Sequence, residues 1–129
     1  MTKQDLFART KSYALRIIRL YVALPKSTEA QVLGKQVLRS GTSIGAHYRE
    51  ANRAKSNADF INKLETALQE LDETIYWLEL IVEAKLFSAN KIEPLLIETK
   101  ELNAIFTTIV KNVKARKKTS TNSSLIHKP

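Results

Sequence analysis

A chain of 129 residues, 43% of them hydrophobic, is long enough to bury the core of one domain without covalent cross-links. It has no cysteine, which excludes disulfide bonds and thiolate chemistry. The amino-terminal segment lacks a signal-peptide apolar run, and no uncharged apolar run approaches the roughly 18 residues of a membrane span, so we expect a soluble, cytoplasmic protein.

The net charge of +8 is distributed unevenly along the chain. Residues 1–56 carry +8, residues 57–86 carry −5 and residues 87–129 carry +5. Such segregation suits a polyanionic partner on one side of the molecule. The alternative is an acidic helix that its basic neighbours complement within the fold.

Helix 1 is predicted from about Lys3 to Leu24, where Pro25 ends it. Apolar residues at helical spacing form its inward seam, namely Leu6, Tyr13, Ile17, Leu20 and Leu24. A second apolar row lies beside the first and contains Phe7, Ala14, Ile18 and Tyr21.

Helix 2 is predicted to begin near Ser27 or Thr28, because Thr28 and Gln31 have the spacing of a capping box. Its inward row is Leu33, Val37, Ser40, Ile44, Tyr48 and Ala51. All three glycines of the chain, Gly34, Gly41 and Gly45, fall in this helix and form one stripe with Leu38. A glycine inside a helix costs about 1 kcal/mol relative to alanine, so we interpret the stripe as a site of close helix packing.

Helix 3 is predicted to follow Ser56 or Asn57, and helix 4 to start between Ser88 and Glu93, with Pro94 in its first turn. The inward row of helix 3 is Phe60, Ile61, Leu64, Ala67, Leu68, Leu71, Ile75, Leu78 and Val82, and the core of helix 4 is Leu95, Leu96, Leu102, Phe106, Ile109, Val110 and Val113. Glu65, Asp72, Glu79 and Glu83 lie along one flank of helix 3.

Four long helices with short connections predict an all-α, antiparallel up-down-up-down four-helix bundle over residues 1–116. Residues 117–129 are polar and are predicted to form a flexible tail. Helices 1 and 3 carry more apolar residues than one buried stripe needs, including Tyr76 and Trp77, together with Leu80 and Ile81. The surplus indicates a homo-oligomer, although a thick core is the alternative.

Signals for catalysis or metal binding are weak. The only histidines are His47 and His127, which leaves no zinc ligand set, and the acidic flank of helix 3 lacks the glutamate-x-x-histidine spacing of a di-metal site. Ser43 and His47 are four residues apart, but backbone donors inside a helix are already bonded and supply no oxyanion hole. The glycines lack the strand-turn-helix context of a phosphate loop. We therefore expect a non-catalytic protein without metal or cofactor.

Basic residues are the best functional candidates. Two sets are predicted to contact phosphates, Lys35, Arg39, Arg49 and Arg53 on helix 2 and Arg9, Arg16 and Arg19 on helix 1. They predict a nucleic-acid-binding protein, with RNA the first candidate and no base-specific recognition motif. Arg39 has an alternative role, since it would also be able to pair with Glu70 or Glu73. The alternative function is an oligomeric scaffold that docks a partner such as a polymerase or reverse transcriptase.

Several segments resemble a bacterial four-helix-bundle family encoded in intervening sequences of 23S rRNA genes, whose members are often labelled S23 ribosomal protein. The resemblance covers about residues 3–114 and is carried by Gln36-Val37-Leu38-Arg39-Ser40, Ser43-Ile44-Gly45-Ala46 and Glu50-Ala51, then by Asp59-Phe60-Ile61, Lys63-Leu64, Ala67, Glu70, Glu73-Thr74 and Tyr76-Trp77-Leu78. His47 departs from the pattern, which has asparagine there.

This resemblance implies a left-handed bundle that assembles into a ring, typically a homopentamer. It also implies similarity to the accessory variability protein of diversity-generating retroelements, a basic pentamer that binds nucleic acid and a reverse transcriptase. For the intervening-sequence proteins themselves, it implies no settled biochemical role.

Overall fold

The computed structural model describes the backbone of residues 1–127 and the side chains of residues 1–116. Four α-helices account for nearly all of it, and no strand occurs within the described backbone. They are α1 (Lys3–Ala23), α2 (Thr28–Ala51), α3 (Asn57–Glu83) and α4 (Ala89–His127). The all-α prediction is confirmed.

Side-chain caps set the beginnings of the first two helices. The Thr2 hydroxyl accepts from the backbone N–H of Asp5 at 3.1 Å, and the Asp5 carboxylate accepts from the Thr2 backbone N–H at 2.9 Å. The capping box predicted for Thr28 and Gln31 is wrong, because Ser27 is the N-cap of α2 and its hydroxyl accepts from the Ala30 N–H. Gln31 instead donates through Nε2 to the Pro25 carbonyl at 2.8 Å, tying α2 to the preceding turn.

Lys85 lies in the turn between α3 and α4. Among the described residues it is the one with a positive φ, at 58°. The Leu86 N–H donates to the Ile81 carbonyl and the Lys85 N–H to the Val82 carbonyl, both at 3.0 Å. This is a Schellman motif with lysine at the position that usually holds glycine. Pro94 lies in the second turn of α4 rather than in the first, and it removes the hydrogen bond that the Asn90 carbonyl would accept.

Neighbouring helices run antiparallel, as cross-helix pairs show. Between α2 and α3, Ser40 bonds to Thr74 and Lys63 approaches Glu50, so sequence numbers rise along one helix as they fall along the other. The same relation holds between α3 and α4, where Asp72 accepts from Asn103 and Glu65 pairs with Lys114. Helix α1 lies against α2 and also contacts α4, so the four helices form an up-and-down bundle.

The predicted inward rows of α1 and α2 form the core, with Leu33 only half-buried. On α3 the row is shifted, since Thr74 and Ile81 are fully buried whereas Phe60, Ile75 and Val82 are half-buried. On α4 the buried row adds two positions absent from the prediction, Ile92 and Thr99. The buried threonines were missed because their hydroxyls suggest a polar surface, yet each is satisfied by the carbonyl four residues earlier.

The glycine stripe of α2 packs against α1. A Cβ atom at Gly41 would lie 2.7 Å from Cγ1 of Ile17, and one at Gly34 would lie 2.6 Å from Cδ1 of Leu24. At Gly45 the nearest atom is Oγ1 of Thr10, at 3.1 Å. The stripe therefore brings α1 close to α2 within a single chain.

Helix α4 continues to His127, well past the end predicted for the bundle. The tail predicted for residues 117–129 lies outside the described side chains, and its flexibility stays a prediction. Within the described residues, no helix combines the length and apolarity needed to cross a membrane.

Candidate nucleic-acid interface

The antiparallel order brings the start of α1, the end of α2 and the start of α3 to one end of the bundle. Basic side chains gather around this junction. We call them the basic end, and they are Lys3, Lys11, Arg49, Arg53 and Lys55. All five are exposed.

A cleft of about 500 Å³ lies at the centre of the basic end. Its lining consists of three cations, one aromatic ring and two carboxamides, namely Lys3, Arg49, Arg53, Phe7, Gln4 and Asn52. The Phe7 ring is held by an edge contact with Tyr48 at 5.1 Å between centroids, and Asn52 donates through Nδ2 to the Tyr48 carbonyl at 2.8 Å. The cleft wall is thus anchored on a core residue.

Two smaller hollows extend the cleft on either side. One, of about 310 Å³, shares Lys3 and Asn52 with it and reaches Lys55 at the start of α3. The other, of about 290 Å³, shares Arg49 and reaches Lys11 along the groove between α1 and α2. The three hollows form one basic track across the end of the bundle.

No residue of the basic end forms an ion pair with a carboxylate among the described side chains. Each cation is therefore available to an external anion. Solvent-exposed arginine and lysine side chains are groups that bind the phosphates of a nucleic acid backbone.

Arg9, predicted to contact phosphates, lies instead between α1 and α4. Its guanidinium donates to both carboxylate oxygens of Glu98, at 2.6 and 2.7 Å, and to Glu101 at 2.7 Å. The hydrogen bonds to Glu98 raise the pKa of Arg9 and lower that of Glu98. Two carboxylates thus satisfy this cation within the fold.

Arg39 takes the alternative role that the sequence left open. It pairs with Glu73 at 2.9 Å and with Glu70 at 3.4 Å, both on α3. The hydrogen bond that Arg39 donates to Glu73 and the charge of Glu70 raise the pKa of Arg39. Arg39 ties α2 to α3, although more than half of its side chain is exposed.

The other predicted phosphate contacts lie away from the basic end. Lys35 is exposed on α2 but about 21 Å along the helix from Arg49, at 1.5 Å per residue. Arg16 and Arg19 line a separate hollow of about 230 Å³ between α1 and α4, with Lys91 and Phe87. Of the seven predicted basic residues, Arg49 and Arg53 lie at the basic end, and Arg53 follows the end of α2.

The Ser43 hydroxyl donates to the Arg39 carbonyl at 2.6 Å rather than to His47. His47 Nδ1 is buried without a hydrogen bond among the described residues, 3.6 Å from Glu50 Oε2, which also lies 3.4 Å from Lys63. No group of three or more histidine or acidic side chains in the described chain is arranged to hold a metal ion. On the acidic flank of α3, Glu65 and Asp72 contact α4.

The residues predicted for oligomer contacts differ in exposure. Tyr76 is 55% exposed and meets Trp77 edge to face at 5.1 Å between ring centroids. Trp77 packs partly on the core, and its indole Nε1 is buried with no acceptor among the described residues. Ile81, counted as surplus in the sequence, is fully buried.

Sequence analysis missed Lys3, Lys11, Lys55 and Phe7 as site residues. Lys3, Phe7 and Lys11 lie on α1 and Lys55 lies in the loop between α2 and α3, so only the folded bundle brings them beside Arg49 and Arg53. The available signal was topological, since an up-and-down bundle places the start of one helix beside the end of the next.

Residues 2–108 match the family described as 23S rRNA-intervening sequence protein. A solved structure from Bacteroides thetaiotaomicron VPI-5482, of a protein with unknown function from the S23 ribosomal protein family, is 41% identical and superposes with a TM-score of 0.80. The similarity covers 86% of this chain and 99% of that one. No curated protein matches the chain. The chain belongs to the 23S rRNA-intervening sequence protein family.

Proposed function

We propose that this protein binds nucleic acid, in the first place RNA, through phosphate contacts at the basic end, without catalysing a reaction. The observation that carries the proposal is the track of five exposed cations without carboxylate partners among the described side chains. Arginine forks and lysine ammonium groups bind phosphate in any sequence context, so recognition is largely non-specific.

We further propose that the protein is a homo-oligomer, with the pentameric ring implied by the family resemblance as the expected form. An apolar stripe on the outer face of α1 supports this assembly. It consists of Leu15, Ile18 and Val22, which are 45%, 41% and 68% exposed. Apolar residues on one exposed helix face are typical of an interface. Assembly would multiply the basic ends and with them the phosphate contacts per particle.

The proposal is tested by charge reversal at two places with equal changes in net charge. Arg49→Glu combined with Arg53→Glu removes two cations from the cleft, whereas Lys26→Glu combined with Lys35→Glu removes two exposed cations far from it. We expect the first variant to lose RNA affinity at least about tenfold at roughly 50 mM salt, and the second to keep most of it.

Equal loss in both variants would indicate net charge rather than a site. Undetectable RNA and DNA binding by a correctly assembled protein would contradict the proposal. In that outcome the alternative gains support, an oligomeric scaffold that docks a partner such as a polymerase or reverse transcriptase.

A further inference from the structure

We infer that the cleft at the basic end receives an unpaired nucleotide, so that the protein prefers single-stranded nucleic acid to a duplex. The inference rests on the proposed function and makes it more specific. Phosphate contacts alone would bind single strands and duplexes alike, whereas the cleft contains groups that recognise a base.

An aromatic ring forms part of the cleft wall. Phe7 lines the cleft together with the three cations, and its edge contact with Tyr48 fixes its position. Tyr48 in turn stacks on Phe106 at 5.4 Å between centroids, so the ring rests on the core. A fixed aromatic side chain at a basic surface is the feature on which unpaired bases stack.

Two carboxamides line the same cleft. Asn52 is oriented by its hydrogen bond to the Tyr48 carbonyl, and the Gln4 side chain is exposed. A carboxamide both donates and accepts, so it pairs with the hydrogen-bonding edge of a base. In a duplex the Watson–Crick edges are paired and the faces of the bases are stacked, so no base is free to enter the cleft.

The cleft is large enough for one nucleotide of a single strand. Its volume of about 500 Å³ falls in the roughly 300–1,000 Å³ range of small-ligand pockets. The hollows toward Lys55 and Lys11 continue the basic surface on both sides, where the neighbouring phosphates of the strand would lie. One base enters the cleft while the backbone follows the track.

The test measures affinity for a single-stranded oligonucleotide and for a blunt duplex of the same length, in wild type and in three variants. Phe7→Leu keeps an apolar side chain but removes the ring, and Gln4→Ala removes an exposed amide. Phe87→Leu is the matched control, because Phe87 also lines a hollow beside arginines but outside the basic end. Thermal unfolding checks that each variant is folded.

We expect Phe7→Leu to weaken single-strand binding by about fivefold or more and to leave duplex binding within about twofold. Gln4→Ala should also lower the ratio of single-strand affinity to duplex affinity, and Phe87→Leu should leave this ratio unchanged. If Phe7→Leu and Gln4→Ala leave the ratio unchanged while Arg49→Glu with Arg53→Glu abolishes binding, the inference is wrong and the proposed function stands. If wild type binds neither oligonucleotide, both are wrong.

Discussion

At the residue scale, Gly41 lies where α1 and α2 pack closely against each other. A Cβ atom there would lie within 3.0 Å of three atoms of Ile17, a side chain with no solvent exposure. We expect Gly41→Ala to lower the free energy of unfolding by about 1–2 kcal/mol, because the cost of overpacking exceeds the gain of about 1 kcal/mol in helix propensity. Urea denaturation measures this change.

Gly45→Ala is the matched control. Its Cβ would meet Thr10 at 3.1 and 3.2 Å, a looser contact, so the propensity gain should offset most of the cost. Equal stability changes in the two variants would contradict the assignment of Gly41 as the tighter contact.

The hydrogen bonds between Arg9 and Glu98 predict how the free energy of unfolding changes at acid pH. Hydrogen bonds from Arg9 hold the pKa of Glu98 below the ordinary value of 4.5 in the folded protein. The contribution of the ionised Glu98 carboxylate to the free energy of unfolding is therefore complete above pH 4.5. It is lost as the pH falls through the lowered pKa of the folded state. We expect the stability difference between wild type and Glu98→Gln to be constant near neutral pH and to shrink below about pH 4.5.

Urea denaturation across the acid range measures that difference. Glu93→Gln provides a control, because Glu93 is exposed and forms no ion pair among the described residues. A difference that grows toward low pH would contradict the ion pair as its cause.

At the scale of the element, Lys85 ends α3 in a left-handed conformation that glycine adopts more easily. Its φ of 58° brings Cβ close to the backbone. We expect Lys85→Gly to be more stable than Lys85→Ala by about 1 kcal/mol, since both remove the lysine charge but only glycine relieves the strain. Thermal unfolding of the two variants measures the difference, and a more stable alanine variant would contradict it.

The elements themselves were predictable because the hydrophobic period is strong along each helix. The N-cap of α2 and the buried positions of α3 were not predictable in the same way, because they depend on contacts outside the helix concerned. Ser27 caps α2 while Gln31 donates to the Pro25 carbonyl, and the hydroxyl of buried Thr74 lies 2.7 Å from that of Ser40 on the facing helix. A single-helix pattern contains neither partner.

The candidate site was predictable only in part, for the same reason. Arg49 and Arg53 were identified from their spacing, whereas Arg9 is satisfied by Glu98, a residue 89 positions later in the chain. Phe7 was assigned to an apolar row, and only the meeting of α1 with the end of α2 brings it into the cleft.

At the scale of the whole molecule, the stripe on α1 predicts the oligomeric state. Combining Ile18→Lys with Val22→Lys places two charges in the proposed interface, so we expect a folded monomer where wild type is an oligomer. Light scattering measures the mass, and circular dichroism checks the helix content. Val32→Lys, at an exposed position on α2, is the control. An unchanged mass in the double variant would contradict an interface on α1.

The salt dependence of RNA affinity tests binding through phosphates at the basic end most directly. If all five cations contact phosphates of a single strand, the slope of log K against log salt is about −3.5 for each protomer engaged, since each contact contributes about −0.7. Arg49→Glu with Arg53→Glu should make this slope shallower by about 1.4, whereas Lys26→Glu with Lys35→Glu should leave it unchanged. A slope near zero in wild type, or equal slopes in the Arg49/Arg53 variant and wild type, would contradict the proposed interface.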